Sequence, residues 1–167
     1  MAAAAGAAVA LAAWVLRPPS TASVQWGSPQ GGSTSTLLAV GTSAPPLRLA
    51  TAQGDTLSPH DNREDRLALV FVRPGCPHCE RLLRHLGELD LRADQRLVVI
   101  CGGDAPEAER MQAEHDLTFP VLVDAGGTAV RAYQVSGVPA AYLLDEGHTV
   151  TAAIQGMPAT WELLEKW

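Results

Sequence analysis

The stretch LALVFVRPGCPHC, residues 67–79, decides the fold of this chain. Its first six residues are a continuous apolar run, which is typical of a strand that is buried on both faces of a sheet. Its last four residues, Cys76-Pro77-His78-Cys79, lead into a segment with leucines at helical spacing. Pro77 suits the first helical position because the N–H that it lacks would be unpaired there. The stretch therefore predicts a buried strand, a short loop and a helix that begins at the CxxC pair.

The CxxC pair combines two thiols with the start of a helix. Unpaired N–H groups and the helix macrodipole at that end stabilise the thiolate of Cys76, and the thiolate is the form that attacks disulfides. A redox-active dithiol is the favoured interpretation of Cys76 and Cys79. The alternatives are a structural disulfide and half of a zinc site, but zinc needs two further ligands, and the sequence has no second CxxC and no HxxxH.

Composition excludes several classes of protein. The chain has 167 residues and a formal net charge of −6, with no run of lysines or arginines, so nothing supports nucleic-acid binding. Three cysteines are too few for a disulfide-rich scaffold. The third, Cys101, ends a predicted strand, where a free cysteine is expected to act as a small buried hydrophobe; a third redox thiol is the alternative.

The N-terminal part divides into two segments. Residues 1–17 form an apolar leader whose uncharged run of about 15 residues is shorter than the ~20 of a full membrane span. We expect an uncleaved or incomplete membrane anchor; a signal peptide and an alanine-rich leader without a targeting role are the alternatives. Residues 18–44, rich in Pro, Ser, Thr and Gly, predict a flexible linker. The folded domain is expected over residues 45–167.

Within this domain the pattern alternates between strands and helices, which predicts an α/β fold with a mixed sheet. The predicted strands are Pro46–Thr51 and Asp55–Leu57 as a hairpin that turns at Gly54, Leu67–Val72, Leu97–Cys101, Val121–Val123, and a final hairpin of Ala140–Leu144 and Thr149–Ile154. The predicted helices are Pro77–Leu89, Pro106–His115 with Asp104 as N-cap, Thr128–Tyr133 after the turn at 124–127, and Ala159–Trp167, with Trp161 and Trp167 packing the last one.

The domain resembles the thioredoxin-like proteins of the redoxin, TlpA and MauD type. The resemblance rests on APPLRL and GDTLS near the start, LVFVRPGCPHC in the middle, and LTFPVLVDAGGTAVRAYQVSGVPAAYLLDEGHTV towards the end. It implies a thioredoxin-like fold, with a mixed central sheet flanked by helices and preceded by an N-terminal β-hairpin and the apolar leader. It also implies thiol–disulfide oxidoreductase activity.

The same resemblance implies roles for individual residues. Cys76 would be the nucleophile and Cys79 the resolving thiol, so that their disulfide is the redox centre and no other cofactor is needed. Pro139 would follow a cis peptide bond beside the site, leaving the backbone of Val138 free to pair with a client protein.

Two features bear on the strength of this redox centre. Many thioredoxins carry a buried acid on the strand before the CxxC, which accepts the proton of the resolving thiol, but this chain has Val70 there. TlpA-like reductases place a glutamate three residues after the second cysteine, where this chain has Leu82. Glu80 is nearby, but it lies on a different face of the helix. Pro77 and His78 match the dipeptide of DsbA, in which a partly positive imidazole favours the thiolate. His78 is therefore expected to stabilise the thiolate of Cys76. The alternative is that His78 is an exposed histidine without effect on this thiolate.

These observations predict a thiol–disulfide oxidoreductase held at the bacterial cell membrane by one N-terminal segment, with its domain extracytoplasmic; a secreted or periplasmic form after signal cleavage is the alternative. Its partners would be thiols and disulfides of client proteins and a membrane electron-transfer protein, and the soluble domain would be monomeric. The resemblance leaves the direction of electron flow open.

Two other functions compete with this prediction. A Sco-like copper chaperone would use two cysteines spaced CxxxC and a distal histidine such as His148. A peroxiredoxin would need a threonine where Arg73 stands, which argues against peroxidase chemistry. We expect His60, His85, His115 and His148 to be surface residues.

Overall fold

A mixed seven-stranded sheet organises the protein, whose computed structural model describes residues 37–61 and 65–167. The strand order is β2-β1-β5-β4-β3-β6-β7. The strands are β1 (Leu49–Thr51), β2 (Thr56–Leu57), β3 (Arg66–Val72), β4 (Gln95–Cys101), β5 (Val121–Val123), β6 (Ala140–Leu144) and β7 (Val150–Gln155). The helices are α1 (Pro77–Leu86), α2 (Ala105–Glu114), α3 (Thr128–Ala132) and α4 (Ala159–Lys166), with a 3₁₀ turn at Pro59–Asp61.

Strand β3 lies at the centre, parallel to β4 on one side and antiparallel to β6 on the other. All of its residues after Arg66 are buried, because both faces of the sheet are covered. Ala68, Val70 and Val72 face a core that contains the leucines of α1, while the alternate residues face a second core around Tyr133 and Tyr142. This burial on both faces confirms the interpretation of the apolar run.

Several element ends differ from the predictions. Helix α1 ends at Leu86 and not at Leu89, because the next residues close short turns: Glu88 N–H donates to the His85 carbonyl and Leu89 N–H to that of Leu86. Strand β1 begins at Leu49 and not at Pro46, whose missing N–H cannot join a sheet. Asp104 does cap α2, and it forms a capping box with Glu107.

The segment before Pro45 packs on the domain, although its composition predicted a linker up to residue 44. Gly41 N–H donates to the Val150 carbonyl, Ala44 N–H to that of His148, and Leu38 N–H to the Tyr142 hydroxyl. The packed chain thus begins by residue 37. Residues 1–36, with the predicted leader and most of the predicted linker, lie outside the described residues. No helix within 37–61 and 65–167 is long and apolar enough to cross a membrane.

The expectation that the scattered histidines lie at the surface is wrong for His148 and His115. His148 is 5% exposed, and its ring meets the partly buried ring of His60 edge-on, with centroids 4.7 Å apart. The side chain of His115 is 8% exposed and its Nε2 lies 2.7 Å from Glu80 Oε2. His85 is half-buried and stacks on Trp161. Each contact joins distant parts of the chain, which hydrophobic periodicity does not reveal.

The turn predicted at residues 124–127 leads into α3 through the side chain of Asp124. Asp124 is 3% exposed, and its two carboxylate oxygens accept the N–H groups of Ala129 and Val130 at 3.1 and 3.0 Å. These N–H groups belong to the first turn of a five-residue helix, where they lack partners within the helix. Asp124 therefore stabilises the start of α3.

Replacing Asp124 with alanine should lower the free energy of unfolding by about 1–2 kcal/mol, since two N–H groups lose their acceptor. Urea unfolding followed by circular dichroism measures the change. Asp90→Ala, at an exposed position in the loop after α1, is the matched control and should be nearly neutral. Equal effects of the two substitutions would contradict this role of Asp124.

Candidate active site

Cys76 occupies the N-cap position of α1. Its backbone is extended, with φ −96° and ψ 110°, and its Sγ accepts the N–H of Cys79 at 3.3 Å. Gly75, with φ +67°, makes the turn that a side chain would disfavour. The N–H groups of a helix's first turn and the macrodipole favour a negative charge on a sulfur placed here. Cys76 is 6% exposed, whereas Pro77 and His78 beside it are exposed.

Cys79 is completely buried and differs from Cys76 in its chemistry. Burial raises the pKa of the Cys79 thiol far above its ordinary value, and the hydrogen bond with the Cys76 side chain raises it further; the backbone and the charge of Arg73 oppose the rise. Both residues are free thiols in the structure. The pair therefore consists of a sulfur at a helix N-terminus, in a residue that keeps a small exposed surface, and a protonated sulfur in a fully buried residue behind it.

The positions at which related proteins carry an acid are apolar and buried here. Val70 and Leu82 both have no exposed surface. The carboxylate of Glu80 is held by His115 across to α2. Within the described chain, the groups that shift the pKa of Cys79 are Cys76 and Arg73, and none of them is a carboxylate.

The loop before β6 meets the CxxC pair. The Val138–Pro139 peptide bond is cis, as the resemblance implies, and the Val138 carbonyl oxygen lies 4.0 Å from Cys76 Sγ. Val138 is half-buried and Pro139 is buried. The fold thus brings Val138 next to Cys76, although 62 positions separate them in the sequence.

Sequence reasoning missed a second set of residues that hold this loop. Gln155, the last residue of β7, accepts hydrogen bonds from Ser136 and Gly137, and Gly156 N–H donates to the Pro139 carbonyl at 2.7 Å. A second cis peptide, Met157–Pro158, follows at once. The sequence feature that could have drawn notice is a polar side chain directly after the predicted strand Thr149–Ile154.

Cys101 lies at the end of β4 and is paired in register with Val72 of β3. It is fully buried, which confirms the expectation of a small buried hydrophobe. Burial raises the pKa of its thiol to about 11. Cys101 is therefore an uncharged part of the core at neutral pH.

His148 does not join the cysteines. Its ring packs against His60 beside the second core. The residue that the copper-chaperone hypothesis requires as a distal ligand therefore packs against another part of the chain. Across residues 37–61 and 65–167 no three His, Cys, Asp or Glu side chains converge in a way that could hold a metal ion.

The comparisons with known proteins give the family and the class of the chain. The sequence profile described as the AhpC/TSA family matches residues 40–153, so the chain belongs to that family. The thiol-disulfide oxidoreductase ResA of Bacillus thuringiensis subsp. konkukian is 28% identical over 132 residues, which cover 77% of this chain and 76% of ResA. ResA of Geobacillus kaustophilus is 29% identical over 125 residues, 72% of each chain.

Solved structures show the same fold. A Chlorobium tepidum protein assigned as the thiol:disulfide interchange protein DsbE has a TM-score of 0.70 at 24% identity, covering 77% of this chain and 94% of its own. A secreted Mycobacterium tuberculosis disulfide oxidoreductase homologous to DsbE of E. coli has a TM-score of 0.64 at 20% identity, covering 72% and 92%. The predicted thioredoxin-like fold and the predicted oxidoreductase class are both confirmed.

A close backbone approach supports the loop before the cysteines. A Cβ on Gly103 would lie 2.7 Å from Pro74 Cγ and 2.6 Å from Glu107 Oε2. The Glu107 side chain can move, but the proline ring is part of the loop that leads to Cys76. The absence of a side chain at Gly103 thus lets the loop after β4 pack directly on the active-site loop.

Gly103→Ala should cost about 1–3 kcal/mol of stability, because the added methyl group overpacks against Pro74. Chemical denaturation measures the cost. Gly126→Ala is the matched control, since a Cβ there meets only Thr128 Oγ1 at 3.8 Å and should change stability by less than about 0.5 kcal/mol. The packing argument fails if both variants unfold at the same denaturant concentration.

Proposed function

We propose that this member of the AhpC/TSA family, an oxidoreductase of the thiol–disulfide class, exchanges disulfides with client proteins outside the cytoplasm through Cys76 and Cys79. One observation carries the proposal: Cys76 Sγ, at the N-terminus of α1, lies beside the Val138 carbonyl that precedes a cis proline. This arrangement offers an attacking sulfur and a backbone acceptor for the client side by side. The ResA relatives are named thiol-disulfide oxidoreductases, which supports the proposal.

The first step is attack by the Cys76 thiolate on a client disulfide. A bond forms between Cys76 Sγ and one client sulfur, the client S–S bond breaks, and the other client sulfur leaves as a thiolate that takes up a proton. The client strand lies extended, with one of its N–H groups donating to the Val138 carbonyl. This backbone pairing recognises a strand of any sequence next to the reacting sulfur.

The second step resolves the mixed disulfide. Cys79 loses its proton and attacks Cys76 Sγ, so that the Cys76–Cys79 disulfide forms and the second client sulfur leaves as a thiol. Two electrons pass from the protein's dithiol to the client. Oxidation of a client runs through the same steps in reverse. Burial raises the pKa of Cys79, so this step needs a proton acceptor, and water or the more distant Glu80 serves as that acceptor.

The cellular setting forms part of the same proposal. The Cys76–Cys79 disulfide is the redox centre without a further cofactor, and the soluble domain works as a monomer. Residues 1–17 hold it at the bacterial cell membrane, or direct its export, and a membrane electron-transfer protein restores its redox state. The oxidising environment outside the cytoplasm, where thiol–disulfide exchange has its substrates, supports this placement.

Cys76→Ser should abolish reduction of a protein disulfide, whereas Cys79→Ser should retain the first step and accumulate mixed disulfides with client proteins. Non-reducing electrophoresis of the purified protein with a model disulfide protein measures both. Expressed in bacteria, Cys79→Ser should trap proteins from outside the cytoplasm. Trapping of cytoplasmic proteins alone would contradict the proposed location.

Cys101→Ser serves as the control. Because Cys101 is buried away from clients, this substitution should leave disulfide exchange unchanged. Full activity of Cys76→Ser would overturn the proposed mechanism. A peroxide-consumption assay separates the alternative from the same family: rapid consumption of hydrogen peroxide without disulfide exchange would indicate a peroxidase.

His78 is proposed to tune the pair from its exposed position in the first turn of α1. A positive imidazole stabilises the Cys76 thiolate and hence the reduced form, so His78→Ala should lower the reduction potential by up to about 30 mV. Equilibration with glutathione measures the reduction potential. Arg81→Ala removes an exposed cation further along α1 and is the control. An unchanged potential in His78→Ala would exclude the role.

A further inference from the structure

The side chain of Gln155 contacts the loop that carries the Val138 carbonyl. Gln155 Oε1 accepts hydrogen bonds from Ser136 N–H at 3.3 Å, Ser136 Oγ at 3.2 Å and Gly137 N–H at 3.0 Å. Gln155 is the last residue of β7 and is paired in register with Ala140, the first residue of β6. Its side chain therefore reaches back across the sheet end to the residues just before the cis proline.

The backbone next to Gln155 holds the other end of the same loop. Gly156 N–H donates to the Pro139 carbonyl at 2.7 Å. The Gly156 carbonyl in turn accepts both the N–H and the Oγ1 of Thr160, which is fully buried in α4. Loop 136–139 is thus bonded at both ends to one corner of the chain, which is itself fixed to α4.

Close packing accompanies these hydrogen bonds. A Cβ on Gly137 would lie 3.0 Å from Gln155 Nε2 and 3.3 Å from Gln155 Cδ. The amide group thus rests directly on the Gly137 backbone, which has no side chain to keep it away. Gln155 and Gly137 fit each other, and the residue that follows Gly137 is the one whose carbonyl faces Cys76.

We propose that Gln155 is a positioning residue for client binding: it fixes loop 136–139 so that the Val138 carbonyl is aimed at the client strand beside Cys76. A loop that is ordered before binding loses less conformational freedom when a client pairs with it, which strengthens binding. This role rests on the proposed function, because it concerns the substrate of that same site. It favours substrates with a peptide backbone, because an extended strand places an N–H group opposite the carbonyl while its disulfide lies beside Cys76.

Two probes separate backbone recognition from thiol chemistry. One is a short peptide whose single cysteine is in a mixed disulfide with mercaptoethanol; the other is hydroxyethyl disulfide, which has no peptide backbone. In both, Cys76 attacks, mercaptoethanol leaves as the thiol, and Cys79 then closes the Cys76–Cys79 disulfide, releasing the second thiol. The reduced wild-type protein is mixed with each probe at a series of probe concentrations, and fluorescence follows a single turnover. The dependence of the rate on probe concentration gives the maximal rate and the probe concentration at which half of that rate is reached.

The variants test the acceptor on Gln155. Gln155→Met keeps the size of the side chain but removes Oε1, and it should raise the half-saturating peptide concentration about tenfold, as the loss of one or two hydrogen bonds suggests. The maximal rate and the reaction with hydroxyethyl disulfide should change less than about twofold, because Cys76 and α1 are untouched. Gln155→Glu retains an acceptor and should restore most of the peptide binding.

Gln112→Met is the matched control. Gln112 is also half-buried, and its Nε2 donates to the Leu117 and Phe119 carbonyls in the loop before β5. Gln112→Met loses hydrogen bonds to a loop, as Gln155→Met does, but the loop before β5 does not face Cys76. The proposal is overturned if Gln112→Met raises the half-saturating peptide concentration as much as Gln155→Met does. It is also overturned if Gln155→Met slows the reactions with both probes equally, or if it leaves the half-saturating peptide concentration unchanged.

A second measurement does not depend on any client. Amide hydrogen exchange of Ser136 and Gly137 should accelerate at least about tenfold in Gln155→Met and stay slow in Gln155→Glu. If the wild-type protein exchanges no disulfides, the proposed function fails, while the amide exchange still decides whether Gln155 holds the loop. Unchanged exchange at both amides would refute the positioning role.

Discussion

Burial of β3 on both faces is the constraint on which the rest of the molecule depends. Its apolar residues face two separate cores, so the strand cannot slide by one residue without exchanging those two sets of side chains. The carboxyl end of this fixed strand leads through a turn at Gly75 to Cys76. The sulfur therefore owes its position to hydrophobic packing far larger than any single polar contact at the site, and α1 adds the dipole that activates it.

The two thiols of the pair differ mainly in burial and in their position on α1. Cys76 keeps a small exposed surface at the helix N-terminus, while Cys79, one turn further, has none and carries a strongly raised pKa. A sulfur with a high pKa is slow to form an attacking thiolate and is also a poor leaving group, so the step that involves Cys79 is slowed in both directions. In thioredoxins with a buried acid this proton has a nearby acceptor. Here Val70, which is apolar and fully buried, fills that place.

Local patterns predicted much of this structure and long-range contacts account for the rest. The apolar run at β3, the capping residue Asp104 and the CxxC pair all depend on neighbours in sequence, and the structure has each of them where it was expected. The cis peptide before Pro139 was expected from a family resemblance and not from physics. The burial of His148 and the contact of Glu80 with His115 could not be predicted, because each joins elements whose packing the sequence pattern does not specify.

Gln155 shows why the missed residues matter for the chemistry. Three segments form the site: the start of α1, loop 136–139 and the corner after β7, and the first two have recognisable motifs while the third has none. The pairing of β3 with β6, in which Phe71 lies opposite Ala140, brings the two motifs together, and the third segment ties loop 136–139 to β7 and α4 through side-chain and backbone hydrogen bonds. In the proposed function, the reactive sulfur depends on β3, the turn at Gly75 and the start of α1, which are neighbours in sequence. Recognition of a client strand depends instead on a fixed position of the Val138 carbonyl, and that position comes from contacts between distant segments.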